Sequence, residues 1–418
     1  MLQPLSKWRR ATMLLVIVGS TAAACATAIA GDWPQVLGPL RNGQAVEETL
    51  PNQWPEDGLR IAWEYPVGSG FAGPVVVGQR VILFHRVDDM ERVQALSVRD
   101  GRQLWKADFD ASYRGTINPD DGPRCVPVVD GDSVYVFGAA GDAHCVSLAD
   151  GKKRWSRALF DDYDGSEGYF GAGSSPVVIG PAVLINVGGR DGAGIVALDK
   201  QSGKTLWTAT DEQASYSSPT TIDIDGKTHA LFVTRYNAIL LDPANGKVVA
   251  RTPFGQRGPT VNAATPLVIG ENIFLTASYG IGATLLTPAK GEFKTVWESD
   301  DALSSQYNTP VVRNGFLYGI HGREDIGPAA LRCIDAATGK VMWSEDDFGV
   351  AHLILAGDKL LVTRINGELM LVKASPERFE TLGRFRAFEK TTRAIPALAD
   401  GKLFARDETH LKCIEVGE

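Results

Sequence analysis

The sequence predicts an all-β chain folded as an eight-bladed β-propeller of four-stranded antiparallel blades, with the ring closed by the N-terminal strand. Three observations carry this. A Gly-Lys-x-x-Trp phrase returns at a steady interval, short apolar runs alternate with hairpin turns, and the last repeat lacks a strand that stands alone near the start. The phrase reads GKKRW from Gly151 to Trp155, GKTLW from Gly203 to Trp207 and GKVMW from Gly339 to Trp343, and Trp63, Trp105 and Trp297 hold the same slot. Six of the nine tryptophans therefore stand on one comb, with teeth about 47 residues apart, the period of propeller blades rather than of helical solenoids.

Each interval repeats one grammar. A run such as Ser175-Pro176-Val177-Val178-Ile179, Thr265-Pro266-Leu267-Val268-Ile269 or Thr309-Pro310-Val311-Val312 is followed by a Gly, Asp or Asn turn and a second apolar strand. Runs of four to six branched residues punctuated by hairpin signals argue for strands, and no stretch of residues 31 to 418 keeps a helical period. Inner strands are expected near Gly73, Val126, Ser175, Ser218, Thr265, Thr309, His352 and Ile395. The last unit, Ile395 to Val416, supplies three strands. The solitary run Arg60 to Tyr65 is the missing fourth, and pairing it there removes a free sheet edge.

The domain reading follows from the same repeats: residues 1–30 a signal peptide, 31–59 a lead-in segment, and 60–418 a single propeller. Lys7, Arg9 and Arg10 precede an apolar run from Met13 to Val18 and an Ala28-Ile29-Ala30 ending, the pattern of a cleaved export signal. Thr21 to Cys25 is a weak lipoprotein box, which leaves a lipid or uncleaved membrane anchor as the alternative. The expected location is exported, periplasmic or extracellular. Without residues 1–30 the chain carries 39 basic against 50 acidic side chains, a net charge of −11. Such a surface repels phosphate backbones and excludes nucleic acid as a partner. The expected partners are a protein, an anionic small molecule or a glycan, bound by a monomer.

The cysteines read as structural. Cys145, Cys333 and Cys413 occupy the third-strand slot that Ala95 and Ala197 fill elsewhere. They belong to blades 2, 6 and 8, too far apart to bridge. Cys125 and Cys145 share blade 2 and are the one pair placed to form a disulfide. No Cys or His spacing fits a metal site, and no cofactor is expected.

Function is expected where the loops are long. Turns between first and second strands (Asp130-Gly131-Asp132) and between third and fourth (Asp150-Gly151) are minimal. Connections between second and third strands and between blades are expected to be long, and strand alternation puts both sets at one end. An arginine recurs at the second-strand exit: Arg86, Arg190, Arg235, Arg323, Arg364 and Arg406, with His321 beside Arg323. Converging guanidiniums suit carboxylates, sulfate or phosphate. Pairing with loop acids such as Asp88, Asp89, Asp191, Glu324, Asp325, Asp407 and Glu408 is the alternative. Arg124, Ser174, Tyr216, Asn262, Asn308, His352 and Arg393 precede the inner strands and are expected to line the channel mouth. Two inserts, Tyr113 to Arg124 and Phe160 to Gly173, are placed to form a lid. The second offers Asp162, Asp164 and Glu167 as calcium oxygens, without the EF-hand pattern. The catalytic residues are unknown, since no hydrolase elbow, phosphate loop or dinucleotide fingerprint is present.

The Ala/Cys-Leu/Ile-Asp-x-x-x-Gly-Lys-x-x-Trp phrase, best at Ala197 to Trp207 and Cys333 to Trp343, resembles the pyrroloquinoline-quinone (PQQ)-like propeller repeat. The opening Asp32-Trp33-Pro34-Gln35, Gly38-Pro39 and Arg41-Asn42-Gly43 is similar to the WPQ-x-x-GP-x-x-x-G start of exported bacterial proteins of this kind. The BamB-like branch implies a protein-binding assembly scaffold. The quinoprotein alcohol dehydrogenases imply PQQ with calcium near a vicinal disulfide, and this chain has no adjacent cysteine pair. A sulfated-glycan or carbohydrate binder is the third expectation.

Overall fold

The computed structural model describes residues 31–117, 119–289 and 291–417. The proposed signal segment 1–30, with Cys25, lies outside them. Eight four-stranded antiparallel sheets follow one another. Blade 1 comprises Val75–Val77, Arg80–Val87, Met90–Ser97 and Gln103–Asp110. The inner strands of blades 2 to 8 are Val128–Asp130, Val177–Ile179, Thr220–Ile224, Leu267–Ile269, Val311–Arg313, Ala351–Ala356 and Ala397–Ala399, each within a few residues of its predicted start. Blade 8 is completed by Ile61–Pro66, which pairs with His410–Glu415 in the register Trp63↔Cys413 and Tyr65↔Leu411. The ring is thus closed by its own first strand.

The comb has a mechanical meaning that the sequence reading did not reach. Each tryptophan donates its indole N–H to a backbone carbonyl of the following blade: Trp63 to Val98, Trp105 to Leu148, Trp155 to Lys200, Trp207 to Pro243, Trp297 to Ala336 and Trp343 to Ser375, at 2.8–3.1 Å. In five of the six the ring lies under the turn glycine of that blade, and Trp343 packs on Phe379 instead. A Cβ on Gly203 would stand 2.8 Å from the Trp155 ring and one on Gly151 2.5 Å from Trp105. The phrase is therefore a two-sided latch, with the tryptophan gripping forward and the glycine receiving the grip from behind.

Opposite five of the six tryptophans sits the slot that reads Ala or Cys: Ala95↔Trp105, Cys145↔Trp155, Ala197↔Trp207, Cys333↔Trp343 and Cys413↔Trp63. Where the tryptophan is lost the slot enlarges, giving Leu240↔Ala250 in blade 4 and Leu371↔Gly383 in blade 7. Close packing demands this exchange of volume, although Leu285 opposite Trp297 shows that it is not obligatory. All four described cysteines are free and buried. Cys125 does not bridge Cys145; its sulfur accepts the Phe137 N–H at 3.3 Å instead.

The lead-in is part of the ring. Trp33 pairs with Val76, Pro34 accepts from Val129 N–H, and Gly43 and Ala45 exchange backbone bonds with Leu355. Arg41 reaches the carbonyls of Ser175 and Pro176, Gln44 that of Val312, and the Glu48 carboxylate takes the N–H groups of Asp400 and Gly401. The segment thus crosses the axis from blades 1–3 to blades 6–8 at the end that carries the first-to-second turns. Trp54 then packs on Gly383, filling the tryptophan slot that blade 7 lacks. The motif glycine Gly38, at φ +80°, leaves no room for a side chain because a Cβ would meet the Trp33 ring at 2.9 Å.

Loop lengths differ from the expectation. Second-to-third connections are short in most blades. Strand Arg80–Val87 leads to Met90–Ser97 through Asp88 and Asp89 alone, and only blades 3 and 6 carry eight-residue connections. The face owes its relief mainly to the segments between blades.

Candidate functional site

The channel mouth opens at the end opposite the lead-in, over a pocket of about 460 Å³ floored by Val36 and ringed by Ser175, Ser218, Thr265 and Thr309. Four of the expected residues line it: Arg124, Tyr216, His352 and Arg393. Phe71, Tyr307 and Glu324 line it too, and sequence reasoning missed them as a group because no spacing relates blades 1 and 6.

Arg393, before the inner strand of blade 8, forks onto the Glu324 carboxylate of blade 6, with Nε 3.0 and 3.1 Å from its two oxygens. The Tyr307 hydroxyl donates to the same carboxylate at 3.0 Å, and burial holds its proton well above the ordinary tyrosine range. Behind them His352 donates from Nε2 to the Arg393 carbonyl at 2.8 Å and accepts from Asn308 Nδ2 at 3.3 Å. That assignment makes the imidazole neutral, in line with burial pushing its pKa down to about 4. Blades 6, 7 and 8 are stitched together by these groups. Arg124 binds the carbonyls of Asp120 and Gly122 and the Asp120 carboxylate at 3.5 Å, and it shares the Phe71 ring with Arg393, at 5.3 and 5.4 Å.

The other arginines do not converge on the axis. Arg86 is 4% exposed and gives its donors to the carbonyls of Asp88, Ala111, Tyr113 and Asp121, with Asp89 at 3.4 Å. Arg406 is 1% exposed and binds the carbonyls of Gly68 and Asp407. Both satisfy irregular backbone that has no strand partner, a use of the five-donor fork that pairing with loop acids does not describe. Arg323 pairs with Asp325 and stacks on Tyr279 at 4.1 Å; Arg364 pairs with Glu368 at 2.5 Å. These two line a small separate cavity of about 160 Å³. His321 accepts the Ser304 N–H at 3.1 Å and is not among the mouth residues. Asn308 and Asn262 are each 1% exposed. The Asn262 amide serves the carbonyls of Thr234, Arg235 and Phe254.

Arg190, Arg235, Tyr216 and Asn262 line a second cavity of about 690 Å³ over blades 3 and 4, walled by residues 164–173 of the second insert. The acids of that insert do not gather for calcium. Asp162 binds Arg157 at 2.6 Å and Asp164 binds Arg190 at 3.0 Å, and no cluster of three metal-ligating side chains occurs among the described residues.

These features define a PQQ-repeat propeller with a plugged floor and an open, loop-built mouth. A family model described as outer membrane protein assembly factor BamB matches residues 55–179 and 89–345; the chain belongs to that family. A curated relative, the outer membrane protein assembly factor BamB of Alkalilimnicola ehrlichii, is 27% identical over 139 residues, 33% of this chain and 32% of that protein. The match therefore spans about a third of the relative's length. The crystal structure of BamB from Moraxella catarrhalis superposes with a TM-score of 0.64 at 16% identity, over 85% of this chain and 97% of that one. A europium-containing methanol dehydrogenase gives 0.56 at 12%, over 90% and 89%, and a quinohemoprotein alcohol dehydrogenase of Pseudomonas putida gives 0.57 at 13%, over 93% and 80%. At these identities the likeness is one of fold. Among the described residues no helix is long and apolar enough to cross a membrane.

Proposed function

We propose that this propeller is a periplasmic, protein-binding scaffold of outer-membrane assembly whose working surface is the loop-built mouth. The observation that carries the reading is the placement of exposed apolar side chains on the tips of that face. Ile117, on the insert between blades 1 and 2, is 61% exposed, and Ile326, in the long connection of blade 6, is 64% exposed. Large apolar groups held in water on rigidly based loops are typical anchors of protein interfaces. The family membership and the printed name of the matched relative support the same class of partner.

Quinone-dependent oxidation is supported by the fold of the dehydrogenases alone. The mouth does not fit a quinone tricarboxylate with calcium. Arg393 already carries the Glu324 carboxylate and Arg124 that of Asp120, and the described residues gather no calcium-ligating set. The scaffold reading is tested by binding the purified protein to the detergent-solubilised barrel-assembly complex of the source bacterium. Ile326→Asp is expected to weaken binding tenfold or more with unfolding unchanged; wild-type affinity in that variant and in Ile117→Asp would refute the assignment of the face.

A further inference from the structure

We infer that the cavity over blades 3 and 4, which adjoins the mouth at Tyr216, is a binding site for a neutral oligosaccharide. Its volume, about 690 Å³, lies within the range of small-ligand sites and exceeds what ordered water alone requires. Two buried carboxamides line it with unmet hydrogen-bonding capacity. Asn186 is 2% exposed and neither its Nδ2 nor its Oδ1 has a partner; Asn262 Oδ1 is likewise unpartnered. Native interiors leave few such groups, so a wall that holds three unmet atoms is prepared for an occupant.

The chemistry of the wall selects that occupant. A carboxamide offers a donor and an acceptor side by side, and a sugar hydroxyl is both donor and acceptor, so vicinal hydroxyls match planar amides and guanidiniums. Arg235 is fixed by the Gly258 carbonyl and Thr260 Oγ1 at 2.7 and 3.0 Å. Its guanidinium lies against the rings of Tyr169 and Tyr236 at 5.8 and 5.3 Å. The half-exposed Tyr169 ring supplies a flat face for the C–H side of a pyranose. Charge decides against a sulfated ligand. Arg190 is occupied by Asp164, and Glu167, Asp191 and Asp211 line the same cavity as Arg235. No net positive surface remains to receive sulfate. A peptide side chain finds little apolar depth, because much of the lining is glycine and alanine.

The test is calorimetric titration of the purified chain with cellobiose, maltose and N,N′-diacetylchitobiose, with a heparin-derived sulfated disaccharide as the charged probe. Saturable binding of at least one neutral disaccharide is expected. It should weaken tenfold or more in Tyr169→Ala, an exposed position that leaves folding intact, and in Asn186→Ala. Binding of the sulfated probe alone, no binding of any neutral disaccharide, or wild-type affinity in Tyr169→Ala each overturns the proposal. Ile326→Asp should leave sugar binding unchanged, which separates this site from the docking face.

Discussion

At the floor of the ring one segment, residues 31–59, ties blades 1–3 to blades 6–8 through backbone and side-chain hydrogen bonds and buried tryptophans. The mouth is built instead from eight separate connections, where Arg86 and Arg406 bind backbone carbonyls and Arg393 reaches across to Glu324. The same repeats serve both ends. The difference teaches that closure and function are divided: one end is crossed by the segment that holds the circle, the other carries the open cavities and the two most exposed apolar side chains among the described residues, Ile326 and Ile117. Rigid scaffold with variable loops is the usual division of labour in such folds.

The largest expected effect lies at the floor. Trp33 is 1% exposed, and Trp33→Ala should lower unfolding free energy by about 3–5 kcal/mol, read from urea denaturation. Ile326→Asp at the mouth should stay within about 0.5 kcal/mol. Similar losses at both positions would erase the contrast between the ends.

Acid comes next. Burial pushes His85, His144 and His352 down to about 4, below the unfolded value near 6.5. Each contributes stability that is fully present above pH 6.5 and lost as pH falls towards 4, up to about 3 kcal/mol per group. Glu91 runs the other way. Burial raises its carboxyl to about 7, so its contribution is present below pH 4.5 and fades as pH rises through 7. Melting temperature should fall between pH 6.5 and 4.5 in the wild type, and Glu91→Gln should steepen that fall by removing the opposing group. Because His352 ties blades 6, 7 and 8 at the mouth, hydrogen exchange there should rise before exchange at the floor. A flat melting temperature across that range would contradict the buried, neutral histidines.

A smaller effect separates two joints. Gly203 and Gly291 both have positive φ, but a Cβ on Gly203 strikes Trp155 whereas one on Gly291 meets nothing within 4 Å. Alanine should cost about 1 kcal/mol at Gly291 from backbone conformation and about 1–3 kcal/mol more at Gly203 from overpacking. Equal costs, by thermal unfolding, would mean that the latch does not grip.

Much of this architecture was legible in the sequence. The eight inner-strand starts carried the blade count, and the missing fourth strand of blade 8 together with the solitary run at Arg60 to Tyr65 carried the closure, because local patterning and ring topology agree there. The interblade grip of the tryptophans was not, since it depends on contacts between repeats rather than on the phrase within one. The site was less legible still. An arginine at a recurrent position has the same sequence appearance whether it lines a cavity, as Arg235 does, or feeds buried carbonyls, as Arg86 and Arg406 do. Only the geometry of irregular connections distinguishes them, and such connections carry no period. The Glu324–Arg393 pair joins positions 69 residues apart, and the Asn186 amide has no local motif at all.

The division between the two ends is tested most directly by placing a photo-crosslinking amino acid in living cells at Ile117 and Ile326 on the mouth, and at Leu40 and Val46 on the floor. All four positions are more than half exposed, so accessibility does not bias the comparison. Adducts to components of the outer-membrane assembly complex are expected from the mouth positions and not from the floor. Adducts from Leu40 and Val46 alone would place the working surface on the sealed end and contradict the account.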